Sequence, residues 1–272
     1  MGEHRWDKGG GPRRRWEDDR GGPDDDRVVL YGWHPVVEAL RNRRRAVRRL
    51  LATENSARRL AEALGNLGEL PVAVEIVRPD AIGRLAPPDA VHQGLFLEAD
   101  PLPSPTLETL PGDALVVVLD QVTDPHNVGA IVRTAAAFGA DAVVTTARHS
   151  PSATGVLAKA ASGGLEHAPF LAVKNLAEAL IALGERGFLR VGFDSDGDVA
   201  LGDVAVRRPL ALVLGAEGKG LRRRTRECCD AVARLDMPGA IKSLNVSNAA
   251  AVALYALSSR LPRRSATGPA AP

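Results

Sequence analysis

Six short apolar runs between Ala114 and Leu235 constrain this chain more than any other feature. They fall at Ala114–Leu119, Asp141–Thr146, Phe170–Val173, Leu189–Asp194, Leu210–Leu214 and Val232–Leu235, with helical stretches between them. Runs this apolar have no polar face to turn toward water, so they belong in a sheet covered on both sides. Strand–helix–strand alternation builds such a sheet in parallel. The predicted fold class is therefore α/β with a mostly parallel sheet. In open parallel sheets, ligands bind beyond the carboxyl ends of the strands. The segments that follow these runs are where chemistry is to be sought.

Composition divides the 272 residues further. Residues 1–27 are Gly, Arg and Asp with almost no apolar content, so they read as a disordered arm that cannot offset its ordering entropy. A first folded unit spans 28–100. Strands are predicted at Val28–Leu30, Val47–Ala52, Val72–Val77 and Gly94–Glu98. Helices are predicted at His34–Arg41 and at Ser56–Leu67, where Leu60, Ala63, Leu64 and Leu67 share a face. Residues 101–112 include four prolines and no hydrophobic period, which makes a semi-rigid linker. The second unit spans 113–262, and 263–272 is a flexible tail. No apolar run reaches membrane-span length, and the N-terminus lacks a signal-peptide core. Cys228 and Cys229 are adjacent, which suits neither a disulfide framework nor a zinc site. The expected setting is a reducing cytoplasm, with no metal.

Net charge is only +2, but arginine is clustered. Arg41, Arg43, Arg44, Arg45, Arg48 and Arg49 fall where the first helix gives way to the next strand. Arginine at a helix C-terminus complements the dipole. Six together exceed that need, and a phosphate-binding patch is the competing reading, with Arg41, Arg43, Arg44 and Arg45 as candidates.

Three segments lie just beyond predicted strands of the second unit. The first runs from Asp120 through Pro125 and Asn127 to Arg133. Asn127 is placed to cap a helix continuing to Phe138, with Val128, Ile131, Val132, Ala135 and Phe138 as its buried stripe and Gly139 as its stop. Gly129 lets another backbone or a ligand come close. For Arg133, a structural salt bridge and a functional role both stand open. The second segment is Gly215-Ala216-Glu217-Gly218-Lys219-Gly220. It is not a P-loop, because the spacing is wrong and Leu221 stands where Ser or Thr would hold magnesium. Nor does it follow the dinucleotide fingerprint. Glu217 would repel phosphate and favours a neutral or cationic ligand. The third is Leu235-Asp236-Met237-Pro238-Gly239, leading to Ser243-Leu244-Asn245-Val246-Ser247-Asn248. These polar residues precede an apolar run, Ala249–Leu261, that reads as a core helix, and they either cap it or hold a ligand. Weaker signals are set aside. Asp194–Asp198 lacks the closing Glu of a calcium loop and reads as a turn. His92, His126, His149 and His167 show no metal-ligand spacing, and Ser162-Gly163-Gly164 lacks the nucleophile-elbow pattern.

Taken together, three patterns resemble the motifs of the SpoU ribose methyltransferases. They are Asp124-Pro125-x-Asn127-x-Gly129 with Arg133, then Leu214-Gly215-x-Glu217-x-x-Gly220, then Met237-x-Gly239 with Ser243-Leu244-Asn245-Val246-Ser247. Their order and separation agree across residues 114–261. Lys159–Pro169 resembles the family's intermotif stretch. Tyr31-Gly32-x-His34-Pro35-Val36 and His92-Gln93-Gly94 resemble its N-terminal substrate-binding domain. The long first motif, Asp120–Asn127, is similar to that of bacterial members that methylate a guanosine ribose in 23S ribosomal RNA.

The resemblance implies a cytoplasmic 2′-O-methyltransferase that uses S-adenosyl-L-methionine and acts on ribosomal RNA as a homodimer. It implies a small α/β RNA-binding domain followed by a SPOUT-type domain with a deep trefoil knot. Pattern reasoning would not propose a knot, since knots are nearly absent from folds. It also implies that Gly215, Leu235, Met237 and Leu244 contact the methyl donor. Arg133, Glu217 and Asn245 resemble the catalytic set, and Asn127 would orient the loops or the RNA. Asp236 departs from the pattern, because the family has Pro between the positions of Leu235 and Met237. A guanidinium stays protonated, so Arg133 suits a fork that holds phosphate and eases a developing alkoxide rather than a general base. A transfer RNA methyltransferase of the same fold and a non-catalytic RNA-binding protein are the competing readings.

Overall fold

A computed structural model describes residues 27–88, 90–148, 155–240 and 243–262. The N-terminal arm up to residue 26, the tail from residue 263 and His149 lie outside the described residues. The first unit runs β1 (Val28–Tyr31), α1 (Trp33–Arg41), β2 (Val47–Ala52), α2 (Glu54–Leu64), β3 (Val74–Ile76), α3 (Pro79–Leu85) and β4 (Leu95–Ala99). Its sheet has the order β1-β4-β2-β3, with β4 antiparallel to both neighbours and β3 parallel to β2. α2 starts before the predicted Ser56 because the Thr53 side chain caps it, accepting from the Ser56 backbone N–H. Gly65 stops it short of Leu67. α3 has no predicted counterpart. Seven residues carry too few apolar repeats to show a period, and only Pro79 marks its start.

The second unit runs β5 (Leu115–Asp120), α4 (Pro125–Ala137), β6 (Ala142–Thr146), α5 (Val156–Ala161), β7 (Phe170–Val173) and α6 (Leu176–Glu185). It continues with β8 (Leu189–Phe193), β9 (Val199–Ala200), β10 (Leu210–Gly215), α7 (Arg223–Glu227), β11 (Ala231–Arg234) and α8 (Val246–Ser258). All seven strands are parallel, in the order β7-β6-β5-β10-β8-β11-β9. Along β5, Leu115, Val117 and Leu119 enter one core while Val116 and Val118 enter the other, which is why the run shows no polar face. The first of these cores is continuous with that of the N-terminal unit through Leu30, Val36, Leu50 and Leu97. Residues 101–112 form neither strand nor helix, and Arg186 fastens them by donating to the carbonyls of Leu107 and Leu110. No helix of the described residues is long and apolar enough to cross a membrane.

The chain builds outward from β5 through β6 to β7, then resumes at β8 on the far side of β10. Ligand crevices open where strand order reverses in this way. Register brings Gly215 at the end of β10 level with Asp120 at the end of β5. The helices that follow are capped differently from expectation in one case. Asp124, not Asn127, caps α4, accepting from the His126 N–H at 3.1 Å. Pro125 takes the first helical position, where a missing N–H costs nothing. Asn127 is thereby left inside the first turn with its side chain available. Asn245 does cap α8, accepting from the Ser247 N–H at 2.9 Å, so this helix begins ahead of the apolar run.

Candidate functional site

Beyond the carboxyl ends of β8, β10 and β11 lies a cavity of about 300 Å³. Parallel neighbours finish on one edge, so loops distant in sequence meet there. Phe193 and Asp194 line the cavity at the end of β8, Gly215–Gly220 at the end of β10, Leu235 and Met237 after β11, and Ser243 and Leu244 before α8. Gly215, Glu217, Leu235, Met237 and Leu244, all singled out from the sequence, share this one space. Its size is at the lower end of the roughly 300–1,000 Å³ usual for small-molecule sites.

Glycine at 215 is a steric requirement, since a Cβ there would lie 2.2 Å from the Gly220 backbone carbon. The loop closes on itself at that point, with the Gly220 N–H donating to the Ala216 carbonyl at 2.9 Å. Two acids hold the loop from outside. Asp194 accepts from the Leu221 N–H at 2.8 Å. The fully buried Asp120 accepts from the Arg222 N–H at 2.9 Å and pairs with its guanidinium at 2.7 Å. Sequence reasoning missed all three of Asp120, Asp194 and Arg222. Asp120 does announce itself as a charge closing an apolar strand, but many exposed strand ends look the same. Asp194–Asp198 is a turn, as read, yet its first carboxylate reaches the glycine loop.

Asn245 donates from Nδ2 to Asn127 Oδ1 at 2.9 Å, while its own Oδ1 accepts from the Ser247 backbone N–H and hydroxyl at 2.9 and 2.6 Å. The first and third motifs are tied by that bond. Arg133 stands six residues past Asn127, roughly 9 Å along α4. It is exposed, does not line the cavity, and makes no ion pair or hydrogen bond among the described residues. The structural salt bridge considered for it does not form among the described residues. Asp236 turns to Arg234, accepting from Nε at 2.9 Å, while Leu235 and Met237 on either side line the cavity. The absent proline does not carry those two residues away. Asp194, Asp196 and Glu217 outnumber Lys219 around the cavity, which favours a ligand carrying positive charge. Cysteine supplies no nucleophile. Cys228 is buried, and burial pushes the Cys229 thiol up to about 12.

The arginine cluster divides. Arg45 does not belong to a phosphate-binding patch. Its side chain is 4% exposed and pairs at 2.5 Å with Glu166, itself 2% exposed, so it cannot reach RNA. Arg48 pairs with Asp100, Arg49 with Glu75 and Arg41 with Glu38. Arg43 and Arg44 are exposed, and among the described residues their guanidinium groups have no partner. The two N-terminal stretches noted in the sequence meet, with the Trp33 N–H donating to the Gln93 side chain at 2.8 Å.

Residues 114–255 match the SpoU rRNA Methylase family, and residues 29–105 match the RNA 2'-O ribose methyltransferase substrate binding family. The chain belongs to the SpoU rRNA methylase family. All three motifs and the cavity fall inside the SpoU match. A relative within it is the 23S rRNA (guanosine-2'-O-)-methyltransferase RlmB of Pseudomonas aeruginosa, 38% identical over 83% of this chain and 94% of that one. Another is an uncharacterised tRNA/rRNA methyltransferase of Mycolicibacterium vanbaalenii, 37% identical over 89% of this chain and 79% of that one. The SpoU methyltransferase AviRb from Streptomyces viridochromogenes has a similar structure, with a TM-score of 0.72 at 26% identity over 86% of this chain and 90% of AviRb. AviRb has also been crystallised in complex with the cofactor AdoMet.

Proposed function

We propose that this SpoU protein transfers a methyl group from S-adenosyl-L-methionine to the ribose 2′-hydroxyl of a guanosine in 23S ribosomal RNA. One observation carries the reading. Gly215, Leu235, Met237 and Leu244 surround a single cavity, and Asn245 beside it is bonded to Asn127 on the helix that bears Arg133. The residues fit a methyl donor. Glycine at 215 lets the 215–220 loop close tightly at the cavity wall, Leu214, Leu235 and Leu244 form an apolar wall, and Asp194 and Glu217 complement a cationic ligand. When bound, S-adenosylmethionine supplies an electrophilic sulfonium methyl. Backbone groups at Gly215, Leu235 and Met237, with the Leu244 side chain, would hold it.

Asn245 retains one Nδ2 hydrogen after its bond to Asn127, available to a ribose oxygen. Arg133 has no partner among the described residues, so its donors are open to RNA. It holds a phosphate in a bidentate fork and stabilises the negative charge that grows on the attacking oxygen. It does not act as the base, because a guanidinium does not give up its proton at neutral pH. The packed helices α4 and α8 leave Val252 and Tyr255 exposed, which supports a homodimer formed over that face. The family reading also entails a C-terminal trefoil knot behind a small RNA-binding domain, and action in the cytoplasm.

The deciding experiment maps ribose methylation in ribosomal and transfer RNA from cells lacking the gene. Loss of one guanosine mark in 23S rRNA is expected. Loss from transfer RNA instead would establish the alternative that the mycobacterial relative's name leaves open. Absence of donor binding in calorimetry would make the chain a non-catalytic RNA-binding protein. In a methylation assay, Arg133→Lys keeps the charge but loses the fork, and turnover should fall about tenfold or more. Near-normal turnover would sink the fork.

A further inference from the structure

The turn Ser162-Gly163-Gly164-Leu165-Glu166-His167 does not line the donor cavity, yet it is more constrained than a surface turn needs to be. Ser162 and Gly163 both adopt left-handed backbone, at φ +50° and +88°. The two glycines face different units. A Cβ on Gly163 would lie 2.5 Å from Cγ of Glu38, on α1 of the first unit, and a Cβ on Gly164 would lie 3.0 Å from Cα of Arg133, on α4 of the second. Among the described residues, the Glu166 side chain then makes each of its hydrogen bonds across the boundary. Its Oε1 accepts from Arg45 Nη2 at 2.5 Å, and its Oε2 from Arg45 Nε at 3.3 Å and Asn42 Nδ2 at 2.7 Å. Arg45 also donates to the Asp100 carbonyl at 2.8 Å, where β4 passes into the linker. His167 Nε2 meets Glu38 Oε2 at 2.9 Å.

A buried ion pair is a poor device for stability alone, because desolvating both charges cancels most of their attraction and apolar side chains of similar volume do as well. What a forked junction supplies is direction, since the Arg45 guanidinium and the Asn42 amide accept one orientation of the Glu166 carboxylate. We infer that this turn is an orientation wedge between the RNA-binding unit and α4, with Glu166 as a positioning residue for 2′-O-methylation. Contact through Gly163 and Glu166 fixes the substrate unit, and contact through Gly164 fixes Arg133 relative to it. The inference rests on the methyltransferase reading of the site. Without the wedge, RNA still binds through the exposed Arg43 and Arg44, but the target ribose no longer keeps one position relative to Arg133. A misplacement of about 1 Å at a reacting centre can cost on the order of a hundredfold in rate.

Two variants separate orientation from folding. Glu166→Gln leaves Arg45 buried and incompletely paired, so it should lower both the unfolding temperature and kcat. The double substitution Arg45→Met with Glu166→Leu removes both charges and refills the volume, so it should unfold at or above the parent's temperature. For the double variant, S-adenosylmethionine affinity should stay within about twofold and KM for a 23S rRNA fragment within about threefold, while kcat falls about ten- to hundredfold. Small-angle scattering from the full chain should show a larger radius of gyration. Parental kcat in the double variant overturns the proposal, and so does an unchanged scattering profile. A double variant that unfolds well below the parent makes the pair a stabilising element and overturns it too. Should the parent bind the donor yet fail to methylate ribosomal RNA, the methyltransferase reading falls instead. Scattering then decides the wedge, with an enlarged profile upholding it and an unchanged one refuting it.

Discussion

Replacing Gly215 with Ala strikes the loop beside the proposed donor cavity at the point where it closes on itself. The new methyl would lie 2.2 and 2.4 Å from the backbone carbon and oxygen of Gly220, and 2.5 Å from the Leu221 nitrogen. None of these atoms is the end of a flexible side chain. To restore an ordinary contact the backbone at 220–221 must retreat by about 1.2 Å, a displacement characteristic of overpacking. That retreat stretches the Leu221 bond to Asp194 and the Arg222 bond to buried Asp120. Overpacking costs about 1–3 kcal/mol, and weakening a hydrogen bond to a carboxylate adds about 1.5 kcal/mol or more. Gly215 is the last residue of β10 and Glu217–Lys219 are exposed, so the loop rather than the sheet takes up the strain. If about 2–3 kcal/mol of it falls on the donor site, affinity for S-adenosylmethionine drops roughly 30- to 150-fold. The unfolding midpoint should fall by no more than about 5 °C. Gly218→Ala is the control. Nothing lies within 4 Å of its added methyl, and only its φ of +74° is unfavourable, at about 1–2 kcal/mol. Isothermal calorimetry on both variants decides. If Gly215→Ala binds the donor as tightly as Gly218→Ala, the steric reasoning is wrong.

The bond between Asn127 and Asn245 invites a double-mutant cycle on unfolding free energy. Asn245→Ala should cost about 1 kcal/mol through its lost cap, and the pair should couple by about 0.5 kcal/mol or more; strictly additive effects would remove the link from the argument. Replacing both Arg43 and Arg44 with Ala should reduce the slope of log RNA affinity against log salt by about 1.4. An unchanged slope puts RNA elsewhere. The hydrogen bond and charge of Arg190 hold the Asp230 carboxyl below its ordinary value of 3.8. A depressed folded pKa contributes stability above the unfolded value and loses it as pH falls through the folded value. Asp230→Asn should therefore lose stability at neutral pH and show a flatter stability profile below about pH 4. Urea unfolding across pH tests this, and a profile as steep as the parent's refutes the pairing.

Much of both units was legible because hydrophobic period is a local property. β2 and β7 stand at their predicted bounds, and β5, β6, β8, β10 and β11 lie within a residue of theirs. β9, with two residues, and α3, with seven, carry too little pattern to be seen. Asn127 marks the limit of rules based on residue type. Asparagine caps helices well, but Asp124 precedes the proline that must open α4, so the cap goes to Asp124 and Asn127 is left to meet Asn245. Arg45 marks the limit of composition. It looks like its neighbours in the cluster, and nothing within a helical turn of it indicates a carboxylate 121 residues away.

Reading the residues in order was enough to find most of the strands, to make the larger sheet mostly parallel and covered on both faces, and to set three motifs in the spacing of one family. Those facts depend on side-chain period and on order along the chain, which a sequence carries directly. Packing alone settled what stands beside what. Gly215 finishes level with Asp120, Asn245 reaches Asn127, and Arg45 turns inward to Glu166 rather than outward to RNA. Short-range rules see a residue and its neighbours within a turn or two. Burial and pairing are set when segments a hundred residues apart are laid side by side.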